Sequence, residues 1–305
     1  MTYIIAEIGS CFKTKADCLE SIYHAKASGA DAVKFQCFDS WSLYGRHIPT
    51  FKNYSISPFW IYDLSKRAKE LEIDFGVTFF DHEQLLRHEK HLDFIKIASS
   101  DMEHKSLLKV ASRIHAATEK PLFISTGGHT LNEVRAVATW VRATFLYCDS
   151  EYPSTDIDLK AVRDLELLVK DRVGISDHTK GVGELTLAHD IFNFPVVEKH
   201  VNFLGIQGHP DSPHSVGPAE FAFLCEDLKN RMPSNLLKAG EHEMRLRHNR
   251  RVVAIKDIKA GEDFDLQNIG FFRGTSDCEN YMNAIEQVYG KTAQREYVRG
   301  ETITL

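Results

Sequence analysis

The sequence predicts a (β/α)8 barrel followed by a small C-terminal domain. Three observations predict it. Apolar, β-rich runs alternate eight times with segments of helical spacing over the first two-thirds of the chain. The runs are near-continuously hydrophobic, as parallel strands covered on both faces must be. Each run also ends in polar residues, and a barrel of this kind builds its active site at the C-terminal ends of its strands.

The runs span 3–9, 32–36, 75–80, 94–99, 121–127, 144–150, 173–179 and 196–201. Between and after them, helices are expected at 16–27, 59–71, 82–91, 105–117, 131–142, 158–169, 184–192 and 218–231. In the first of these Leu19, Ile22, Tyr23 and Ala25 can share a face, and Gly29 can end the helix. The barrel is assigned to 1–232. From Met232 the composition shifts to Pro, Ser, Asn and charges, which reads as a linker over 233–250. The segment 251–305 carries a weak internal echo, Ile258-Lys-Ala-Gly-Glu-Asp-Phe264 against Val298-Arg-Gly-Glu-Thr-Ile303, each a turn entering a short β segment. A domain this small folds alone only marginally, so it is expected to dock on the barrel or on a partner chain.

With 305 residues, 43% of them hydrophobic, the chain can bury one large core and a small one. A net charge of −6 offers no electrostatic footprint for nucleic acid. No apolar run reaches the ~18–20 residues a membrane-spanning helix requires, so no membrane partner is expected. None of Cys11, Cys18, Cys37, Cys148, Cys225 and Cys278 forms a Cys-x-x-Cys pair, which removes zinc-ribbon and thioredoxin-like readings. The chain enters its first strand at Tyr3 with no room for a signal peptide, so the reducing cytoplasm is the expected compartment.

The strand-end residues are Glu7, Lys34, Gln36, Thr78, Asp81, Lys96, Ser99, Ser125, Ser150, Tyr152, Ser176, His178, Glu198 and His200. Polar residues that merely start loops would explain any one of these. They explain poorly two lysines inside apolar strands, because a buried ammonium needs a partner. If the tips converge, Lys34 and Lys96 with Ser99, Ser125 and Ser176 form a phosphate- or carboxylate-binding pocket. The small Ser125-Thr-Gly-Gly128 turn lets backbone approach an anion. His178 and His200, on adjacent strand tips, can share one divalent metal through neutral imidazoles. Such a set suits Mn²⁺, Co²⁺ or Zn²⁺ and leaves positions open for water and substrate. Packing within the core is the other reading for each histidine alone. Glu198, two residues before His200, shares its strand face and is a candidate to orient it. Glu7 is a candidate acid or base, or a partner for Lys34 on the next strand.

Seven ordered motifs resemble the sialic acid synthase family: Ile5-Ala-Glu-Ile-Gly9, Gly29-Ala-Asp-Ala-Val-Lys-Phe-Gln36, Lys96-Ile-Ala-Ser99, Ser125-Thr-Gly127, Tyr152-Pro153, Ser176-Asp-His-Thr179 and Glu198-Lys-His200. The tail resembles that family's antifreeze-protein-like (SAF) domain. The resemblance implies condensation of phosphoenolpyruvate with an N-acetylated amino sugar, N-acetylmannosamine or a relative. The product would be a nine-carbon 2-keto-3-deoxy acid, with phosphate released by C–O cleavage. It implies that Lys34, Thr78, Lys96, Ser99, Ser125 and Ser176 hold phosphoenolpyruvate. His178 and His200 would hold the metal, Mn²⁺ first, with Co²⁺, Mg²⁺ or Zn²⁺ as alternatives. Glu7 would move protons, and Gln36, Asp101, Tyr152 and Asp211 would face sugar or metal; Ser150 is counted with the substrate-binding strand tips. Arg273 matches a position from which the small domain reaches into a partner's pocket, implying a domain-swapped homodimer.

Three departures from the family pattern stand out. Gly-x-Asn-His becomes Gly9-Ser-Cys11-Phe12. Gly-Pro-Asp-His becomes His209-Pro-Asp211-Ser212. Lys-Arg-Pro-Gly becomes Phe271-Phe-Arg-Gly274. They touch the surroundings of the anion and metal residues, so the acceptor sugar is the open question: N-acetylmannosamine, its 6-phosphate, or the diacetamido-dideoxy sugars of pseudaminic or legionaminic acid synthesis. Trp41, Tyr44, Arg46 and His47 are candidates to shape the acceptor site. A synthase of seven- or eight-carbon keto acids and a non-catalytic sugar- or phosphate-binding paralogue are the competing readings.

Overall fold

The structure, a computed structural model, describes residues 2–170, 172–230, 250–273, 282 and 284–304. The chain divides into two compact units, Met1–Arg231 and Met232–Leu305.

In the first unit eight parallel strands close into a barrel in chain order: β1 Tyr3–Gly9, β2 Ala32–Cys37, β3 Asp74–Phe79, β4 Ile95–Ile97, β5 Leu122–Ser125, β6 Thr144–Tyr147, β7 Val173–Asp177 and β8 Val196–His200. Helices follow them: α1 Lys15–Ala27, the short α2 Ser40–Tyr44, α3 Ile61–Glu70, α4 His82–His88, α5 Lys105–Thr118, α6 Leu131–Ala138, α7 Leu159–Val169, α8 Gly183–Phe192 and α9 Pro218–Asn230. Side-chain caps set several starts. Thr14 with Asp17 and Thr130 with Glu133 form capping boxes on α1 and α6. Asp81 and Asp158 cap α4 and α7. Helix α6 stops at Ala138, short of the expected Arg142. Thr139 folds its hydroxyl back on the Ala136 carbonyl, and the Trp140 amide takes an i−3 bond to Val137 that closes the last turn.

Strand alternation sorts the side chains. Ile4, Ala6, Ile8, Val33 and Phe35 face outward and pack with the helices in the main core. The barrel interior has two tiers. Its lower tier is apolar, made of Ile5, Ala32, Phe94, Phe123, Leu146 and Val196, with Tyr3 packed against them. The rings of Tyr3, Phe94 and Phe123 form a mutual cluster with centroids 5.6 to 6.2 Å apart. Gly76 makes this floor possible, because a Cβ there would stand 2.2 Å from the Phe94 ring. Above the floor, the inward residues are polar.

In the second unit, strands β9 Arg250–Ala254 and β10 Ile269–Arg273 pair antiparallel. Val252, Ile258, Phe264, Ile269, Val288, Tyr297 and Ile303 build its separate core. The sequence echo corresponds to two turns, with Gly261 at φ +89° and Gly300 at φ +92°. Arg273 ends β10 and is exposed. The expected linker 233–250 lies outside the described residues except for Arg250, as do Gly274 and Cys278. Among the described residues, no helix is long and apolar enough to cross a membrane.

Candidate active site

The polar tier opens into a cavity of about 490 Å³ at the C-terminal ends of the strands. Lys34, Gln36, Thr78, Lys96, Ser99, Ser125, Ser150, Tyr152, Ser176, His178, Glu198 and His200 all line it. Alternation puts many of them there: Lys34, Lys96, Ser125 and Glu198 each lie two residues beyond a floor residue, and Gln36 and His200 four beyond.

The centre is a buried charge network. Lys34 Nζ lies 2.6 Å from Glu7 Oε2 and 3.7 Å from Glu198 Oε2, and donates to Thr78 Oγ1 at 2.9 Å. Lys96 Nζ lies 3.4 Å from Glu198 Oε1, which also accepts from Ser176 Oγ at 2.8 Å. Gln36 Nε2 donates to Glu7 Oε1 at 3.0 Å. Glu7 therefore does pair with Lys34 across the β1–β2 register, where the two residues are partners. Glu198 spends its carboxylate on the two lysines and Ser176, rather than orienting His200 as expected.

Burial pushes the Glu7 carboxyl above its ordinary range, an effect the Lys34 charge only partly offsets. Burial also pushes Glu198 upward, but Lys34 and Lys96 together outweigh it and hold that carboxylate low. Lys34 is desolvated yet raised by its two carboxylates, whereas desolvation wins at Lys96, whose ammonium is held below its ordinary value. Two lysines in one pocket thus differ in how firmly they keep a proton.

The loop after β5 adds hydrogen-bonding groups. Ser125 Oγ is buried without a hydrogen-bond partner, a donor ready for a ligand oxygen. Gly127 N–H donates to Ser99 Oγ at 3.2 Å, and a Cβ at Gly127 would meet Ser150 Oγ at 2.4 Å. Asp101 sits on the turn after β4, outside the cavity lining, with Ser100 and His104 as its partners.

At the β7–β8 side the ring centroids of His178 and His200 are 5.3 Å apart, and Tyr152 stacks on His178 at 4.1 Å. His178 Nδ1 bonds the Asp149 carbonyl at 2.5 Å, which leaves Nε2 open toward the cavity. Asp211 is held by the Ser10 amide, which donates to Oδ2 at 2.6 Å. Only glycine fits beside it at position 9, where φ is +54° and a Cβ would stand 2.3 Å from that oxygen. His200, Asp211 and His214 each offer a ligand atom within 4.8 Å of the others. His200 Nδ1 and His214 Nε2 are buried without hydrogen-bond partners. Burial holds both imidazoles neutral, His200 well below its ordinary value and His214 down to about 4. Neutral, buried imidazoles beside a carboxylate fit a divalent cation.

Several participants escaped the sequence reading. His214 lies in the loop after β8, where no periodicity points to it. Cys148 and His129 line the cavity; Cys148 could have been found two residues beyond the floor residue Leu146. Cys148 Sγ lies 3.7 Å from His178 Nδ1. Burial raises the thiol, but His178, Ser99 and Lys96 outweigh it and hold Cys148 below its ordinary value. The same contact, with the Asp149 carbonyl, lifts His178 above its ordinary value against the effect of burial. One departure from the family pattern resolves as packing. Cys11 and Phe12 are buried, and Phe12 meets Phe35 and Trp60 edge-on. Trp41 and Tyr44 are exposed and lie outside the cavity lining.

The family model for NeuB matches residues 21–235. The chain belongs to the NeuB family. It is 29% identical to the N,N'-diacetyllegionaminic acid synthase of Campylobacter jejuni, over 99% of this chain and 98% of that one. It is 27% identical to the pseudaminic acid synthase of Helicobacter pylori, over 83% and 82%. A crystal structure of N-acetylneuraminic acid synthetase from Leptospira borgpetersenii, in complex with citrate, has the same fold, with a TM-score of 0.69, 24% identity, and 80% and 90% coverage.

Proposed function

We propose that the protein is a nonulosonic acid synthase that joins phosphoenolpyruvate to an N-acetylated amino sugar and releases phosphate. One observation carries the reading: two buried lysines, balanced by Glu7 and Glu198, line a strand-tip cavity together with the unpartnered Ser125 hydroxyl. The names of its NeuB relatives, synthases of diacetyllegionaminic and pseudaminic acids, support the product class.

In this reading Lys34, Lys96, Ser99, Ser125 and Ser176 bind the phosphate and carboxylate of phosphoenolpyruvate, with Thr78 steadying Lys34. The enol C3 bonds to the aldehyde carbon of the open-chain sugar, and the aldehyde oxygen takes up a proton. Water adds at C2, the C2–O bond to phosphate breaks, and a 2-keto acid and inorganic phosphate leave. Glu7, whose carboxyl burial holds above the ordinary range and whose orientation Gln36 fixes, is assigned the proton transfer; it reaches the cavity through its contacts with Lys34 and Gln36. His178 and His200 would hold a divalent metal, expected to be Mn²⁺, which would supply polarisation of the sugar aldehyde. Gln36, Ser150 and Tyr152 face the sugar.

We further assign 1–232 to the synthase barrel, 233–250 to a linker and 251–305 to a SAF-like domain. Arg273 would complete the partner's pocket in a swapped homodimer. The cytoplasm, where phosphoenolpyruvate is available, is the proposed compartment.

The test is phosphate release from phosphoenolpyruvate with Mn²⁺ across N-acetylmannosamine, its 6-phosphate, the diacetamido-dideoxy sugars, mannose and arabinose 5-phosphate. Release with an amino sugar supports the reading. The printed name of the Campylobacter jejuni relative, a diacetyllegionaminic acid synthase, supports a diacetamido sugar as the alternative acceptor. Release only with arabinose 5-phosphate, or phosphoenolpyruvate binding with no release at all, overturns it.

A further inference from the structure

We propose that His214 is a protein ligand to the metal, closing a site with His200 and Asp211. The inference deepens the reading above, which assigned the metal to His178 and His200 alone.

Two anchors build this corner. The first holds Asp211 from the β1 loop: the Ser10 amide binds Oδ2, Ser10 Oγ accepts from the Asp211 amide at 3.1 Å, and His209 Nδ1 bonds the Ser10 carbonyl at 2.6 Å. The second ties the following turn to β8. The Ser215 amide and hydroxyl both bond the Asp211 carbonyl, at 3.1 and 2.7 Å. The Val216 amide then donates to the His200 carbonyl at 3.0 Å, and Val201 and Val216 form a bridge. His214 is therefore delivered by a turn whose start is fixed to Asp211 and whose end is fixed to His200.

The side chains arrive in ligand range. His214 Nε2 stands 3.5 Å from Asp211 Oδ1, and the His214 and His200 rings are 4.6 Å apart, at 74°. Metal–ligand bonds of about 2.1 Å place neighbouring donors about 3 Å apart and opposed donors about 4 Å apart. The Asp211–His214 separation is already near that range, and all three donor atoms lie within 4.8 Å of one another. His214 is 3% exposed and His200 5%, and neither has a hydrogen-bond partner at the nitrogen concerned. Most buried side-chain nitrogens have a partner, so these two are open to a ligand. The family pattern places a histidine directly after the aspartate, and Ser212 stands there in this chain. The imidazole comes instead from three residues after Asp211, one turn further on.

The experiment titrates Co²⁺ and, separately, Mn²⁺ into the full-length protein without substrate, as wild type, His214→Gln and His214→Cys. Circular dichroism confirms that each variant is folded. A ligand role predicts that His214→Gln weakens binding of both metals by about tenfold or more and changes the visible Co²⁺ spectrum. It also predicts that His214→Cys produces a sulfur-to-cobalt charge-transfer band in the near ultraviolet that the wild type lacks. Affinity within twofold of wild type in folded His214→Gln, with no such band in His214→Cys, means a packing residue and overturns the proposal. Phosphate release is read separately. Metal-dependent release by the wild type with metal binding unaffected at position 214 rejects this inference alone. Loss of metal at position 214 in a protein that never releases phosphate supports the inference and rejects the synthase reading.

Discussion

Lys199 and Asp177 form an ion pair whose removal should be severely destabilising. The two are register partners on β8 and β7, with side chains 0% and 1% exposed. Lys199 Nζ lies 2.5 Å from Asp177 Oδ2 and donates to the Thr179 carbonyl at 2.5 Å; Asp177 also accepts from the Thr179 amide and hydroxyl at 2.9 and 3.0 Å. Neither residue lines the cavity, because each precedes an inward histidine by one residue and so points the other way. Lys199→Met leaves a carboxylate buried with only Thr179 to satisfy it, and breaking a buried pair in this way costs about 3–5 kcal/mol. For a unit of this size, 1 kcal/mol shifts Tm by about 2–4 °C, so the melt should fall by roughly 6–20 °C. Asp177→Asn with Lys199→Met removes both charges while keeping an acceptor for Thr179, and should recover most of the loss.

The assay is urea unfolding of wild type, both single variants and the double variant, analysed as a double-mutant cycle. The expected coupling is favourable and exceeds about 1.5 kcal/mol. A Lys199→Met cost below about 1 kcal/mol, or strictly additive single variants, would refute the argument that this pair is a desolvated, mutually dependent unit.

Three further outcomes are expected. Lys96→Ala should weaken phosphoenolpyruvate binding by about tenfold or more, since hydrogen bonds to charged groups contribute ~1.5–3 kcal/mol; calorimetry showing unchanged affinity would move the anion site elsewhere. In a Cys278→Ser background, Cys148 should be the first cysteine alkylated at neutral pH. It lies on the cavity with its thiol held low, while burial pushes Cys11 up to about 11 and Cys37 and Cys225 up to about 12. Peptide mass spectrometry should also find Cys148 protected by phosphoenolpyruvate, and earlier labelling of Cys11 contradicts that placement. Removing all residues after Gly240 should abolish both phosphate release and dimer formation; a fully active monomer, by sedimentation and assay, rules out the swapped-domain arrangement.

Much of the barrel was legible because burial on both faces leaves a strong mark. Lys105–Thr118 and Val173–Asp177 fall within two residues of the expected spans. The polar tier was legible for a related reason: a lysine cannot enter an apolar strand without a partner, so Lys34 and Lys96 marked a buried polar site and Glu7 pointed to Lys34. What the chain concealed lies off the strand tips or on their reverse face. His214 depends on a loop that turns back through hydrogen bonds to Asp211 and β8, which no local pattern encodes. Asp177 and Lys199 read as parts of histidine motifs, yet strand alternation turns them into the outer core. Glu198 was tied to His200 by shared face alone, whereas the lysines' charges decide where its carboxylate goes.

The aromatic floor of Tyr3, Phe94 and Phe123 has a kinetic consequence. A barrel sealed at its base has one mouth, so reactants and products must pass through it in sequence. The lysines and Ser125 lie toward the seal and Tyr152 toward the opening. In a two-substrate reaction, the ligand held by the lysines is therefore expected to arrive first, and whatever lies above it to leave before it does. Such a well enforces a compulsory order with no moving part. Its signature is a deep-site ligand that escapes slowly whenever the outer subsite is filled.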